Sequence, residues 1–534
     1  MATSLAPGNS SARVQFFTIF PCNKIHTCRM QLNPLFRAHR HRNLRMHFDN
    51  SYARLPPRFY TRLHPTPVAA PGLIRVNSAL ARHLRIDPDW LQSAEGVAVI
   101  AGNRIPAGAD PIATVYAGYQ FGGWSPQLGD GRAILLGEVI GADGVRYDIQ
   151  LKGSGRTPYS RNGDGRAPLG PVLREYIVSE AMAALGIPSS RVLAAVTSGE
   201  WVMREGAEPG GVLVRVAQSH IRIGTFQFFA SSQDLDAVRL LADHVIQRHY
   251  PEVSLADNPY LALLENVIAQ QARLIASWQL VGFIHGVMNT DNMLVSGETI
   301  DYGPCAFMDA FDPAAVFSSI DHHGRYAYNN QPGIAHWNLA GLAQVLLPLL
   351  DRDPDKALAL AQDSIDSFPQ LYQNAYLQGM RRKLGLAESA RDDAMLIQDL
   401  LDIMAEQESD FTLTFRCLSE LADADRETAS GLAGLFELPQ AFTPWLSRWR
   451  QRLAADSGDS ATRRAEMLSV NPACIARNHL VQAAIEAAVI RQDFAPFHDL
   501  VDRLAQPYDH HQRDAYYAAP PRPDQLVRQT FCGT

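Results

Sequence analysis

The sequence predicts an α+β fold in which a β-rich part precedes a mostly helical part. Two apolar runs, Ala133–Ile140 and Arg146–Lys152, flank the turn sequence GADG, a pattern typical of a β-hairpin. A helical pattern follows at PLGPVLREYIVSEAMAALG, and helical periodicity dominates from Tyr260 to the C-terminus. With 534 residues the chain is too long for one simple core, so we expect two or three lobes or domains.

The other elements follow in chain order. Residues 46–115 combine short apolar runs and proline-rich turns with one helical stretch near NSALARHLRI. In the central helix, Pro171 lies near the first turn and Gly186 ends the helix. The stretches WVMREG and GGVLVRVAQSHIRIGTFQFFA have strand character. Helices then continue with Tyr260–Val281 and with the long stretches after Trp337.

The composition argues against several classes of protein. The chain is 46% hydrophobic and 19% charged, which is typical of a soluble globular protein. Its net charge of -7 does not favour nucleic-acid binding, and no apolar run approaches the ~18 residues of a membrane span. The six cysteines form no CxxC pair, which disfavours a structural zinc site and a secreted disulfide framework. We therefore expect a monomer in a reducing compartment, with neither nucleic acid nor a membrane as partner.

Arginine supplies nearly all of the positive charge. The only lysines are Lys24, Lys152, Lys356 and Lys383. A GC-rich genome explains this bias, which favours a bacterial, cytoplasmic protein. Each remaining lysine is of interest, because ammonium and guanidinium groups are not interchangeable at a nucleotide site.

The N-terminal residues 1–45 contain no Asp or Glu but seven Arg and Lys residues. An acid-free N-terminus that carries arginines is typical of an organelle transit peptide. The alternative is that translation begins at Met46, so that residues 1–45 are disordered or result from an over-long start. We prefer this alternative and leave the segment out of the fold prediction.

The sequence FIHGVMNTDNML, residues 283–294, is similar to the catalytic loop of a protein kinase but lacks its central residue. Kinases have His-Arg-Asp, four further residues and Asn, where the Asp receives the substrate proton and the Asn holds a metal ion. His285 and Asn292 fit this pattern, whereas Val287 stands where the Asp should be. Asp291 lies directly before Asn292. The loop belongs either to an inactive kinase or to an enzyme with different chemistry.

Two upstream segments are candidates for binding phosphate. In QLGDGRAILLGEV, Gly129 and Gly131 flank a turn that would let the backbone approach a phosphate, and Arg132 adds a cation; a plain hairpin turn is the alternative. Lys152 ends an apolar strand, as the phosphate-binding lysine of kinases does, and Glu175 lies on the next helix, where it could pair with that lysine. The alternative is a surface lysine at a strand end.

A metal site is predicted from the catalytic loop together with TIDYGPCAFMD. Asp301-Tyr302-Gly303 takes the place of the kinase sequence Asp-Phe-Gly, whose Asp binds the metal. Asn292 and Asp301 would supply a neutral and an anionic oxygen to one divalent ion, which suits Mg²⁺ or Mn²⁺.

Four features together resemble the SelO family, also called YdiU, of pseudokinase-fold protein nucleotidyltransferases: YSRNGDGRAPLG, HGVMNTDNM, DYGPCAFMD and a cysteine third from the end. The resemblance extends from about Phe48 to Thr534. It implies a protein-kinase-like two-lobed fold with additional C-terminal helices. It also implies transfer of AMP from ATP, or of UMP from UTP, to Ser, Thr or Tyr hydroxyls of proteins with release of pyrophosphate. In this family ATP is bound in the reverse orientation to that in kinases, so that its α-phosphate meets the hydroxyl.

The resemblance also implies roles for individual residues. Asp291 corresponds to the proton acceptor, Asn292 and Asp301 to the metal ligands, and Glu175 to the partner of Lys152. Cys305 and Cys532 correspond to a redox-sensitive disulfide. The residues that correspond to nucleotide contacts are Gly129, Gly131, Arg132, Lys152, Asp164, Gly165, Arg215, Arg222 and Asp301.

Chemical reasoning on the residues themselves is consistent with these roles. Reversing ATP moves the reacting phosphorus, which agrees with the loss of the Asp at position 287. Arg215 and Arg222 on the outer phosphates would stabilise the leaving pyrophosphate, although solvent-exposed strand arginines are the alternative. A carboxylate beside a divalent cation should have a lowered pKa, which favours a role for Asp291 in orienting the hydroxyl. We expect His285 to brace the loop.

The segment boundaries follow from these motifs. An N-terminal segment (46–115) packs on the core, followed by a β-rich nucleotide-binding lobe (116–210), a lobe with the catalytic and metal loops (211–340) and a helical C-terminal region (341–534). Two other functions stay open. A kinase-type phosphotransferase would transfer the γ-phosphate, and a catalytically silent nucleotide-binding scaffold would transfer nothing.

Overall fold

The structure is a computed structural model, and it describes residues 45–422, 438–456, 459–509 and 515–531. The strands are β1 to β12, in order Tyr60–Arg62, Gly72–Val76, Ile112–Thr114, Gly118–Gln120, Gly123–Ser125, Ala133–Ile140, Arg146–Lys152, Ala167–Pro168, Arg191–Met203, Ala207–Ala217, Phe283–Ile284 and Ala306–Phe307. The α-helices are α1 to α17, in order Ser78–His83, Pro88–Gln92, Ala94–Ile100, Leu169–Ala184, Ile223–Ser231, Leu235–His249, Pro259–Leu280, Gln331–Leu350, Pro354–Asp366, Phe368–Lys383, Asp393–Glu406, Phe411–Leu421, Thr443–Ala455, Ser460–Val470, Asn478–Arg491, Ala495–Leu504 and Ala515–Ala518. The expectation for the N-terminal extension concerns residues 1–45, of which 1–44 lie outside the described residues.

Eight strands form one antiparallel sheet in the order β1-β3-β6-β7-β10-β9-β2, with β8 paired to β10. The predicted hairpin is confirmed, because β6 and β7 have the predicted bounds and pair with each other. Its turn contains Gly144 at φ +80°, a conformation that glycine adopts without steric cost. Residues 46–115 contribute β1, β2 and β3 to this sheet, so they share it with the strands of the next segment.

The two faces of the sheet differ in chemistry. In β7, Ile149 and Leu151 join an apolar cluster with residues of α1 to α3, whereas the alternate positions Asp148, Gln150 and Lys152 are buried polar residues. Successive side chains of a strand point to opposite faces, so these three polar residues share one face. That face also carries the functional side chains described below.

The predicted helices at Leu169–Ala184 (α4) and Pro259–Leu280 (α7) are confirmed to within a few residues. The predicted strand character of IGTFQFFA is wrong, since Ile223–Ser231 forms helix α5. Its buried apolar residues Ile223, Phe226 and Phe229 recur every three positions, which is helical spacing. A Cβ on Gly224 would overlap the carbonyl oxygen of Ala117, so the start of α5 packs tightly against that backbone.

Among the described residues, one segment is long and apolar enough to cross a membrane by length and composition alone, Tyr328–Leu350, which includes α8. Core helices pass the same test. The sequence scan missed this segment because Gln331, Asn338 and Gln344 interrupt its apolar residues. In the structure, α8 packs against α5, α7 and α9, and its buried residues include Leu339 and Leu346.

Glu298, in the loop before Asp301, is a buried acid whose ionisation should affect stability. Gln218 N and Ser296 Oγ donate to its carboxylate at 2.9 and 3.0 Å, but burial raises the pKa of Glu298 from 4.5 to about 7. Between these two pH values the unfolded chain releases a proton that the folded protein keeps. The free energy of unfolding therefore falls as pH rises from about 4.5 to 7, by about 3 kcal/mol.

We expect Glu298→Gln to remove this fall, so that the variant gains stability relative to wild type between pH 5 and pH 8. Urea unfolding at both pH values would measure the difference. The same substitution at the exposed Glu265 is the matched control and should leave the pH dependence unchanged. Parallel pH profiles for wild type and Glu298→Gln would contradict the prediction.

Candidate active site

An ion-pair cluster lies where β7, β10 and α4 meet the loop of Asp301. Lys152 Nζ, at the end of β7, is 2.5 Å from Glu175 Oε2 and 2.9 Å from Asp301 Oδ1. Arg215 Nε donates to Glu175 Oε1 at 2.6 Å, and the Arg215 guanidinium is 3.5 Å from Asp301 Oδ1. Lys152, Glu175 and Arg215 are at most 8% exposed. The surface-lysine alternative is therefore wrong, and two cations and two carboxylates share one partly enclosed site.

The cations keep both carboxylates ionised. Burial alone would raise the pKa of Asp301, but Lys152, Arg215 and Arg132 hold it well below its ordinary range. Burial also opposes ionisation of Glu175, whose pKa Arg215 and Lys152 nevertheless lower. Arg132, from the first predicted phosphate loop, thus acts electrostatically on Asp301. The side chain of Asp301 keeps 26% exposure, so a ligand can reach it.

Arg222 lies beside the catalytic loop. Its Nη1 donates to the main-chain oxygen of Asp291 at 2.5 Å, and its guanidinium carbon is 4.3 Å from the centre of the Tyr116 ring. Arg215 and Arg222 are only 3% and 5% exposed, so the alternative of solvent-exposed strand arginines is wrong for both. A buried cation destabilises the fold unless nearby acceptors compensate its charge. The partners of Arg215 and Arg222 therefore fix both side chains in the site.

Asp130, between the two predicted glycines, is a site residue that the sequence analysis missed. It is 2% exposed and accepts hydrogen bonds from Thr114 N and Oγ1 at 2.9 and 2.7 Å. Gln150 Nε2 lies 3.4 Å from Asp130 Oδ1, and Arg215 Nη1 donates to Gln150 Oε1 at 3.3 Å. Arg222 Nη2 is 3.9 Å from Asp130. The sequence signal for this residue was an acidic side chain between two glycines, Gly129-Asp130-Gly131.

The two glycine-rich loops pack on each other. Gly129 has φ +137°, and a Cβ there would lie 2.5 Å from Cγ of Tyr159 in the second loop. A Cβ on Gly131 would lie 2.8 Å from the main-chain oxygen of Tyr159. Gly165 has φ +70°, and a Cβ there would overlap the carbonyl of Gly155. These glycines are therefore required by loop packing, and a nucleotide contact for them stays a prediction.

Asp164 lies apart from the ion-pair cluster. Arg204 donates to its two carboxylate oxygens at 3.0 and 3.1 Å, and the side chain is 43% exposed. No contact in the described part of the chain joins Asp164 to Lys152 or Asp301. Asp164 would therefore contact the nucleotide only if the nucleotide extended from the ion-pair cluster to the glycine-rich loop that carries Asp164.

The predicted metal ligands have suitable chemistry. Asn292 Nδ2 donates to Val287 O at 3.0 Å, which leaves the amide oxygen for another partner. Asp301 has φ +66°, an uncommon conformation for a residue with a side chain and one found preferentially at functional sites. Amide and carboxylate oxygens are the ligands that Mg²⁺ and Mn²⁺ prefer.

Two ligands leave most coordination positions of such an ion for water and phosphate oxygens. Within the described ranges there is no group of three or more His, Cys, Asp and Glu side chains that could hold a metal. Asp291 Oδ1, next to this pair in sequence, is buried without a hydrogen-bond partner in the described part of the chain. Such an unsatisfied anionic oxygen is compatible with a cation or a donor in the site.

The protein groups around Asp291 shift its pKa in the direction opposite to that expected from a neighbouring cation. Burial raises the pKa of Asp291 to about 6, although Arg222 and a hydrogen bond from Gln120 oppose the shift. Asp291 is 6% exposed because strand β4 covers it, a contact that the sequence did not reveal. With such a pKa the carboxylate is mostly ionised at pH 7 and still basic enough to accept a proton.

His285 braces the catalytic loop, as expected. Its Nε2 lies 2.8 Å from Ile300 O, and Val287 N donates to its Nδ1 at 3.3 Å. Burial lowers its pKa, so the ring is neutral and can fill both roles. The ring also stacks on Trp278.

The predicted redox pair falls only in part within the described residues. Cys305 is fully buried, and burial raises its pKa to about 11, which suppresses the reactive thiolate. Cys532 lies outside the described residues. Thr530 Oγ1 donates to Pro304 O at 2.6 Å, so the described end of the chain lies beside the segment of Cys305. The pairing stays a prediction.

Two open cavities are each bounded in part by residues of the hairpin formed by β4 and β5. One of about 590 Å³ is bounded by Phe121, residues 320–323, Arg325 and Ile334, among others. The second, of about 520 Å³, is bounded by Tyr119, Trp124 and residues of α5, α6 and α8.

Sequence comparisons relate this chain to known protein nucleotidyltransferases. Residues 42–505 match the family described as protein adenylyltransferase SelO. Protein nucleotidyltransferase YdiU of Rhodopseudomonas palustris strain BisB5 is 61% identical over 487 residues, which are 91% of this chain and 99% of that protein. YdiU of strain BisB18 is 63% identical over the same length and coverage. YdiU of a Methylorubrum extorquens strain is 59% identical over 492 residues, again 91% and 99% of the two chains.

Proposed function

Because this chain belongs to the SelO family and is a protein nucleotidyltransferase, we propose that it transfers AMP from ATP to Ser, Thr or Tyr hydroxyls of proteins and releases pyrophosphate. UTP is the alternative donor, giving UMP transfer. The proposal includes a kinase-like two-lobed arrangement in which the nucleotide lies in the reverse orientation, with its α-phosphate towards Asp291.

One observation carries the proposal. Lys152 pairs with the buried Glu175 and with the partly exposed Asp301, while the position of the kinase base is occupied by Val287 and the nearby carboxylate is Asp291. A base placed for attack on the γ-phosphate would be useless for a reversed nucleotide. The cluster therefore supports nucleotide chemistry, and the position of the carboxylate supports attack on a different phosphorus.

In the proposed reaction, the acceptor hydroxyl oxygen attacks the α-phosphorus and the bond to the bridging oxygen of pyrophosphate breaks. Asp291 accepts the hydroxyl proton, and its Oδ1, which has no hydrogen-bond partner in the described part of the chain, is available for that proton. Lys152, Arg215 and Arg222 bind the phosphates and stabilise the charge that develops on the leaving pyrophosphate. Asn292 and Asp301 would hold a Mg²⁺ or Mn²⁺ ion, which supplies Lewis-acid stabilisation of the phosphate oxygens when bound.

The labelled position of ATP tests this proposal. We expect transfer of label to total soluble protein of a bacterial extract from α-³²P-ATP with Mg²⁺ or Mn²⁺, and none from γ-³²P-ATP. Intact-mass spectrometry of a labelled acceptor should show the added mass of an adenylyl group. Transfer from the γ-position would instead indicate a kinase, and no transfer from either position a silent scaffold.

In the same assay, Asp291→Asn tests whether Asp291 takes part in the chemical step. It keeps the shape of the side chain but cannot accept the proton, so we expect a loss of about 10²–10⁴-fold in α-label transfer. Binding of ATP, measured by calorimetry, should persist. Wild-type rates in Asp291→Asn would remove Asp291 from the mechanism.

A further inference from the structure

The hairpin of β4 and β5 is attached to the catalytic loop through its main chain. Tyr119 N donates to Thr290 Oγ1 at 2.8 Å, and Phe121 N donates to Asn289 Oδ1 at 3.1 Å. The hydroxyl of Tyr326 donates to the same Asn289 oxygen at 2.7 Å. These attachments use backbone N–H groups of the hairpin, so they do not depend on the side chain at position 120.

The side chain between these two attachments makes a different contact. Gln120 Nε2 donates to Asp291 Oδ2 at 3.1 Å. From the other direction Gly118 approaches so closely that a Cβ there would overlap Asp291 Oδ1. The carboxylate of Asp291 is thus enclosed between an amide donor and a glycine backbone, both from β4.

We propose that Gln120 is a positioning residue for nucleotidyl transfer, whose amide holds the Asp291 carboxylate in the orientation that receives the acceptor's proton. This inference rests on the proposed function, in which Asp291 is the proton acceptor. A carboxylate can rotate about its Cβ–Cγ bond, and a hydrogen bond to one oxygen restricts that rotation. Proton transfer requires the acceptor atom within hydrogen-bond reach of the hydroxyl, so fixed orientation raises the rate.

The hairpin geometry argues against a purely structural role for this side chain. The two main-chain hydrogen bonds already hold the hairpin, and Gln120 itself is only partly buried. Gly118 carries no side chain that could contact Asp291, so Gln120 is the hairpin's only side-chain donor to the carboxylate among the described residues. Removing the amide should therefore affect the carboxylate more than the fold.

Gln120→Met, which keeps the length of the side chain but removes the donor, is the main test. We expect kcat for α-³²P-ATP transfer into total soluble protein of a bacterial extract to fall about 10- to 100-fold, which is less than the 10²–10⁴-fold expected for loss of the proton acceptor itself. The KM for ATP and the thermal unfolding midpoint should stay close to those of wild type. Gln398→Met is the matched control, because Gln398 is exposed on α11 and donates its hydrogen bond to Asp402 of the same helix.

A double-mutant cycle with Asp291→Asn separates positioning from a structural effect. If Gln120 acts through Asp291, then adding Gln120→Met to Asp291→Asn should cause no further loss of kcat. Additive losses, or wild-type activity in Gln120→Met, would overturn the inference. Gln120→Leu, which also lacks a hydrogen-bond donor, replaces Gln120→Met if that variant does not fold, and full activity in it would also overturn the inference. Absence of α-label transfer by the wild-type enzyme would instead refute the proposed function.

Discussion

Replacing Lys152 by methionine is expected to reduce nucleotidyl transfer by about 10²–10³-fold, the usual cost of removing one preorganised charge partner from a reacting group. Methionine keeps much of the aliphatic length but loses the ammonium that lies between Glu175 and Asp301. Initial rates of α-³²P-ATP transfer would measure the loss. The phosphate would also bind more weakly, so the KM for ATP should rise.

The Lys152→Met variant should still fold. Removing one member of an isolated buried ion pair costs roughly 3–5 kcal/mol, but Arg215 remains as a cation for both carboxylates, so we expect a smaller loss. Chemical unfolding would measure it. Lys356→Met is the matched control, since Lys356 is 64% exposed and its one ion pair with a described residue is the surface contact with Asp351. Equal transfer rates in Lys152→Met and wild type would remove the assigned phosphate site.

The substitution Asp301→Asn is expected to abolish metal-dependent transfer, with a loss of at least about 10³-fold. Asparagine tolerates the positive φ of this position, so the backbone need not change. The amide, however, supplies no negative charge to a divalent ion, whose stabilisation of the phosphates contributes several kcal/mol. Initial rates over a range of Mg²⁺ and Mn²⁺ concentrations would measure the effect.

The control for Asp301→Asn is the same substitution at the exposed Asp257. Asp257→Asn should keep wild-type rates at every metal concentration. Because Lys152 and Arg215 would lose a counter-charge in Asp301→Asn, the unfolding free energy of that variant should be measured as well. A variant that binds ATP and transfers AMP at the wild-type rate would show that Asp301 does not hold the metal.

Local sequence patterns predicted the elements that local interactions specify. Apolar runs, helical spacing and turn residues within each segment predicted the β6–β7 hairpin and helices α4 and α7. The same reasoning failed for α5, where a short apolar run is compatible with both a strand and a helix. Packing of Gly224 against the backbone of Ala117 favours the helix, and that contact joins residues more than 100 positions apart.

In the candidate site, too, some residues were predictable from the sequence and others were not. The Lys152–Glu175 pair and the order of Asn292 and Asp301 were visible in the sequence, because their motifs are short and resemble a known family. The burial of Arg215 and Arg222 was not visible, since an arginine in a strand can face solvent or the interior. Asp130 likewise acquires its role only through Thr114 and Gln150.

By itself, the sequence determined which charged groups the protein has for nucleotide chemistry, since residue type and local spacing are encoded in short motifs. Only the tertiary structure decided which of these groups meet and which oxygen of Asp291 is held by Gln120. The physical reason is that pairing and burial arise between residues distant along the chain, and these contacts set the charge state of each carboxylate.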